Sequence, residues 1–200
     1  MKKMNQQETM KKEVEGISAF NQASQQLQEL MDKSSLSDFI ETEALNRFIV
    51  HTSWSFVSHK FVTAVFIATA NELPVSSSDG YYCCVMSRET NDISEAVNLH
   101  HAVVSALKEW SVYDDFTDQT ILRRDHVTTK NDNSIVVITS QQKDRFWTRC
   151  YIADKKGNAL AVKNKSFDIG YIDGYAKSTS SYDKGLANHE QMLAEAYADL

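Results

Sequence analysis

Arg145-Phe146-Trp147-Thr148-Arg149-Cys150-Tyr151-Ile152 is the stretch that decides how this chain is read. Its alternation has a period of two, which in an extended strand sends successive side chains to opposite faces. Phe146, Thr148, Cys150 and Ile152 make one set, apolar enough to face a core. Arg145, Trp147, Arg149 and Tyr151 make the other, which then stands on the outside of a sheet.

Working outward, 120–129 and 134–140 are also strand-like. A further strand, 159–165, follows Asp154-Lys155-Lys156-Gly157-Asn158, whose Gly and Asn suit a short hairpin turn. These stretches predict a four-stranded antiparallel meander. Residues 168–185 hold Gly170, Gly174, Gly185, Tyr171, Tyr175, Tyr182 and a Ser/Thr cluster, and read as a surface loop. A final amphipathic helix starts at Leu186 and uses Leu193, Tyr197 and Leu200.

Upstream, Asp92 with Glu95 three residues on resembles a capping box, and Ile93, Val97, His100, Val104 and Leu107 continue it as one helical stripe. Residues 51–70 form an apolar run with no polar face, which suits either a buried helix or a central strand. Val62, Thr63, Val65, Ile67 and Thr69 favour the strand, with 81–86 returning antiparallel after a break at 71–80. Over 8–33, Met10, Val14, Ile17, Phe20, Leu27, Leu30 and Met31 recur at helical spacing, and this helix could pack on a second copy to give an oligomer. Leu36, Phe39, Ile40, Ala44, Phe48 and Ile49 give a second helical stripe. The expected fold is one α+β domain, 1–200. A helical N-terminal third (8–50) packs on an antiparallel sheet built as hairpin, helix, four-stranded meander and C-terminal helix, with the mixed sheet-and-helix core at 60–166. No internal repeat of domain size is visible; Ile169-Gly170-Tyr171 and Asp173-Gly174-Tyr175 echo each other only locally.

Composition bounds the function classes. The chain has 200 residues, 42% apolar and 24% charged, which places it in the globular class. The longest apolar stretch, 61–70, is about half of the roughly 20 residues that span a bilayer, so no membrane contact is expected. Residues 5–16 are polar where a secretory signal would be apolar. Three cysteines, two of them adjacent, make no disulfide framework and no CxxC pair; buried strand thiols in a reducing, cytoplasmic setting are expected. The net charge of −6 is uneven: residues 119–180 carry 11 Lys and Arg against 6 Asp, a net of +5. Such asymmetry bears on partners rather than on fold.

No GxSxG elbow, phosphate-binding loop, GxGxxG, HExxH or paired CxxC is present. No catalytic residue, metal ligand or cofactor is therefore assigned. His100 lies on the apolar stripe of its helix and reads as a hydrogen-bonded core histidine, and Asp114, Asp115 and Asp118 read as a solvated loop. The candidate site is the outward set, Arg145, Trp147, Arg149 and Tyr151, joined by Lys155 and Lys156 in the adjoining turn and by Lys163 and Lys165 on the next strand. Guanidinium and ammonium groups meet phosphates and aromatic planes stack on bases, so the expected activity is non-enzymatic binding of an anionic partner, nucleic acid first. The rival is a protein-interaction module, an inhibitor or assembly subunit, that uses the acidic helical third and the tyrosine-bearing loop. An enzyme whose active site assembles from distant residues is the third reading.

Overall fold

Strand pairing, not helix packing, organises the chain from Ser35 onward. The computed structural model describes residues 35–43, 46–113, 116 and 118–200. Among them, eleven strands form three antiparallel sheets, and there are two helices. The first sheet is the meander β1 (Ser35–Glu41), β2 (Arg47–Ser55), β3 (Lys60–Ile67) and β4 (Cys84–Thr90), followed by helix α1 (Ile93–Ala106). The second contains β6 (Thr120–Thr128), β7 (Ser134–Gln142), β8 (Arg145–Ile152) and β11 (Tyr171–Thr179), followed by helix α2 (Tyr182–Asp199). Three short strands, β5 (Ser111–Val112), β9 (Leu160–Lys163) and β10 (Asp168–Ile169), make a small third sheet.

Each helix lies on the inner face of the sheet before it, where alternation places Phe48, Val50 and Thr52 of β2, and Ile135, Val137 and Thr139 of β7. Both inner faces, α1 through Leu99 and Val103, and α2 through Met192 and Ala196, contribute to one buried cluster. Asp92 caps α1 by accepting from the Glu95 amide at 3.0 Å, and Ser181 caps α2 by accepting from that of Lys184. No helix of the described residues is long and apolar enough to cross a membrane.

The two sheet-plus-helix halves are copies of one plan. The pattern Asp-x3-Thr-x3-Asn-x5-Thr occurs at Asp38, Thr42, Asn46 and Thr52, and again at Asp125, Thr129, Asn133 and Thr139. In each half the Thr/Asn pair closes the first turn: the Thr42 amide donates to the Asn46 carbonyl at 2.9 Å, and the Thr129 amide to the Asn133 carbonyl at 2.9 Å. The asparagine side chains then cross to the other half. Asn46 donates from Nδ2 to the Ala153 carbonyl (2.8 Å) and accepts from the Ser134 amide (2.7 Å). Asn133 donates to the Ala68 carbonyl (3.1 Å) and accepts from the Arg47 amide (3.1 Å). Contacts that are reciprocal in this way define an approximate two-fold relation.

Several sequence expectations are corrected. The helix expected over 8–33 lies outside the described residues. The helical stripe expected over 36–49 is instead β1 and β2, so the chain has no helical N-terminal third in the described residues. The three-to-four spacing arose by straddling a turn: Ile40 pairs with Phe48 on the inner face and Phe39 with Ile49 on the outer. That turn is made by threonine and asparagine hydrogen bonds, without the glycine or proline that would have marked it. The expected loop at 168–185 holds β10, β11 and the first turn of α2. Gly174, at φ +83°, sits where the β11–β8 register shifts, so it marks a bulge rather than a loop. The fourth strand of the second sheet is β11 and not 159–165, which turns away to pair with β5 and β10.

Candidate functional site

Two constellations resemble chemistry and call for separate readings. The first is buried and occurs twice. In α1, His100 Nε2 lies 2.7 Å from Asp38 Oδ2 and Nδ1 lies 2.9 Å from Thr52 Oγ1, which is 2.8 Å from Thr63 Oγ1. In α2, His189 repeats this against Asp125 (2.8 Å), Thr139 (2.9 Å) and Thr148 (2.8 Å from Thr139). The order hydroxyl, imidazole, carboxylate is that of a nucleophile–base–orienter chain. Here, however, both imidazoles and the hydroxyls bonded to them are buried, leaving no room for a substrate at the oxygen. Burial lowers both histidine pKa values while the carboxylates oppose it, so the rings are neutral at pH 7. A neutral ring that donates from Nε2 to the carboxylate and accepts the threonine proton at Nδ1 satisfies every group. The network fastens each helix across three strands of its sheet. It is a structural clamp, which agrees with reading His100 as a core histidine.

Cys83 and Cys150 are buried, and burial pushes all three thiols up. Among the described residues no three His, Cys, Asp or Glu side chains are grouped to hold a metal ion.

The second constellation is the outer face of β8. Alternation places Phe146, Thr148, Cys150 and Ile152 inward and Arg145, Trp147, Arg149 and Tyr151 outward. The outward side chains form a ladder: the Arg145 and Arg149 guanidinium carbons stand 5.7 and 4.7 Å from the Trp147 ring centroid, and Arg149 is also 5.5 Å from that of Tyr171 on β11. Arg145 is exposed and donates to Ser178 Oγ at 2.9 Å. Among the described residues, neither arginine has a carboxylate within ion-pair distance. Arg47, by contrast, bonds Glu41 at 2.6 Å, and Arg123 bonds both Asp125 and Glu190.

The other residues singled out from sequence are dispersed. Tyr151 is 3% exposed, stacked on Tyr113 with centroids 5.5 Å apart and edged by Phe116. Burial pushes its phenol pKa up, against the pull of Arg149. Lys155 and Lys156 are exposed in the turn beyond the far end of β8, ten and eleven residues from Arg145 along the chain, and the strand between them is eight residues long, about 26 Å in extended geometry. Lys163 lies in β9 of the small sheet and Lys165 in the turn after it. The structure therefore brings together Arg145, Trp147 and Arg149 and adds Tyr171, which sequence reading had placed in a loop. At its Tyr171 end the ladder meets a cleft of about 440 Å³ lined by Asp168 and Asp173, an acidic border to a basic face.

A third surface feature is the β2–β3 hairpin. Its tip exposes Phe56 at 84% and Val57 at 95%, next to Trp54, whose ring packs edge-on against Phe61 at 4.9 Å. The chain matches no known protein family, no curated protein and no solved structure.

Proposed function

We propose that this protein is a non-enzymatic binding protein that takes an anionic chain, single-stranded nucleic acid first, on the outer face of β8. The observation that carries the reading is the pair Arg145 and Arg149, held over aromatic rings with no carboxylate neutralising them among the described residues. A guanidinium stacked on a ring keeps its N–H edge free for a phosphate. Residues 119–180, which contain this face, carry a net charge of +5 against −11 for the rest, which would orient an approaching polyanion. The tests are fluorescence anisotropy titrations of a labelled single-stranded oligonucleotide at low and moderate salt. Arg145→Ala with Arg149→Ala is expected to flatten the salt dependence, by about 0.7 in log–log slope for each phosphate that is no longer neutralised. Trp147→Ala should weaken binding by about 1–3 kcal/mol with a smaller change in slope. Lys155→Ala with Lys156→Ala, at the far end of the strand, should alter neither by a comparable amount. No binding at low salt overturns the proposal.

The exposed hairpin tip favours a second reading, a protein partner. Two adjacent apolar side chains in water are unfavourable unless something covers them, and the equivalent turn of the other half is Gln142-Lys143-Asp144-Arg145. A photo-crosslinking phenylalanine analogue at position 56 should capture one discrete protein, and Val57→Ser should abolish the capture. A crosslink yield no higher than that from the analogue at position 143 overturns this reading.

A further inference from the structure

The basic ladder on β8 ends at a cleft with no basic side chain in its lining. The cleft has a volume of about 440 Å³, within the roughly 300–1,000 Å³ of small-ligand sites, and lies between the two halves. Val85 and Met86 of β4 supply an apolar wall, and Asp168 of β10 with Tyr171 and Asp173 of β11 supply a polar one. Tyr171 belongs to both features, since the Arg149 guanidinium carbon stands 5.5 Å from its ring centroid. The order along this surface is therefore guanidinium, aromatic ring, carboxylate.

Strand pairing shows how the second half comes to present that carboxylate. The helix caps Asp92 and Ser181, like His100 and His189, lie 89 residues apart, so Tyr171 and Asp173 stand where the first half has Tyr82 and Cys84. From the pair Ala64–Ser87 to the pair Phe66–Cys84, β4 advances three residues against two of β3. From Arg149–Ala176 to Tyr151–Tyr171, β11 advances five against two of β8, which leaves 172–175 unpaired with β8. A bulge of this kind re-aims side chains. Tyr171 and Asp173 flank the buried Ile172 and share the exposed side of the bulge. The Cys84 thiol is satisfied by donating to the Met86 carbonyl at 3.0 Å. Asp173 receives no hydrogen bond or ion pair from the described residues, and partial burial pushes its carboxyl above the ordinary range.

We propose that this cleft takes one guanine base of the strand bound on β8, with the base against the Tyr171 ring and its N1–H and N2–H donating to the Asp173 carboxylate, an assignment that rests on the reading of β8 as a surface for single-stranded nucleic acid. Phosphates are drawn to the arginines and repelled by Asp168 and Asp173, so a strand that runs along the ladder presents a base at the acidic end. A carboxylate only accepts hydrogen bonds. Guanine turns two adjacent N–H donors to it and engages both oxygens. Adenine and cytosine offer one amino group beside a ring-nitrogen acceptor, and thymine one N–H between two carbonyls. Two donors also satisfy a partly desolvated carboxylate that has no other partner among the described residues.

The test is competition against a labelled all-thymine oligonucleotide at low salt, read by fluorescence anisotropy on the full chain. The competitors are unlabelled strands of the same length, all thymine or with one central guanine, adenine or cytosine. The single guanine should tighten binding about tenfold, and adenine or cytosine by less than about threefold. Asp173→Asn replaces one acceptor oxygen by a donor and should bring the guanine strand to within about twofold of the all-thymine strand. Its all-thymine affinity should be kept, which also shows that the variant is folded. Arg145→Ala with Arg149→Ala should weaken both strands by the same factor and leave their ratio unchanged, since phosphate contacts carry no sequence information. Equal affinities for the guanine and all-thymine strands overturn the proposal and leave the binding face standing, as does a guanine preference that survives Asp173→Asn. No binding of any strand removes both. Guanosine monophosphate that competes as well as the guanine strand, molecule for molecule, would assign the cleft to a free nucleotide and overturns the proposal too.

Discussion

The first and second halves use the same set of polar groups in the same way and present different surfaces. Asp38, Thr52, Thr63 and His100 are matched by Asp125, Thr139, Thr148 and His189, and Asn46 by Asn133, down to hydrogen-bond lengths that agree within about 0.4 Å. Outside that framework little agrees. One hairpin ends in Phe56 and Val57, the other in Lys143 and Asp144; one outer sheet face is Phe39, Ile49 and Phe66, the other carries Arg145, Trp147 and Arg149. Positions held in common by two copies of a plan serve the plan. Those that differ are where each copy is free to serve something else, which is why the ladder and the hairpin tip, and not the histidines, carry the functional readings.

The comparison breaks first, if it breaks, at the asparagines. Asn46→Ala and Asn133→Ala each remove a side chain that completes backbone groups of the other half, and each should cost about 2–4 kcal/mol in equilibrium urea unfolding. The double variant should lose less than the sum, since both act on one seam. Two separate unfolding transitions in the unaltered protein would show that the halves are independent and that the seam is incidental.

The histidines sharpen it. His100→Gln and His189→Gln should cost similar amounts, about 1–3 kcal/mol each, because equivalent networks lose equivalent bonds. Their folded pKa values lie below the ordinary 6.5, so on acidification the unfolded chain takes up protons first. Stability present above pH 6.5 should therefore decline as the pH falls below it, and each glutamine variant should show a shallower decline. In the second half a further loss follows at lower pH. Desolvation opposes ionisation of Asp125, yet bonds from Arg123 and His189 win and hold its carboxyl below 3.8, an advantage that disappears as that lower pKa is passed. Urea titrations from pH 7.5 down to about pH 2 measure both.

The smallest effect separates the helices. Ala96 of α1 and Gly185 of α2 occupy equivalent positions. A Cβ on Gly185 would lie 3.0 Å from Phe146 Cβ, closer than a relaxed contact. Gly185→Ala gains about 1 kcal/mol of helix propensity and loses a comparable amount to crowding, so its melting temperature should barely move. Ala96→Gly, with nothing to relieve, should lose about 1 kcal/mol.

Legibility in the sequence followed the physics of each element. The period-two alternation of 145–152 and the capped stripe from Asp92 were readable because one face of each meets the core along its whole length. The strands at 35–41 and 47–55 were not, because a turn closed by Thr42 and Asn46 let two short alternating runs imitate one helical period. Strand β11 was hidden by Gly170 and Gly174, whose bulge interrupts its alternation. The duplication escaped notice because it resides in about ten buried positions among unlike surfaces, and the hairpin between Thr52 and Thr63 is two residues longer than its counterpart between Thr139 and Thr148. Of the site, Arg145, Trp147 and Arg149 were legible from alternation alone. The burial of Tyr151 was not, since Tyr113 and Phe116 reach it from another part of the chain.

The crossed asparagines also set a clock on synthesis. Asn46 donates to the carbonyl of Ala153, 107 residues later in the chain. A ribosome adding about 5–20 residues per second needs roughly 5–20 seconds to cover that interval. For that time the first sheet has emerged with its turn asparagine unsatisfied, its inner face short of the partner layer and its apolar hairpin in the open. The first half is thus made as a waiting surface, and the second half is the earliest matching surface it meets.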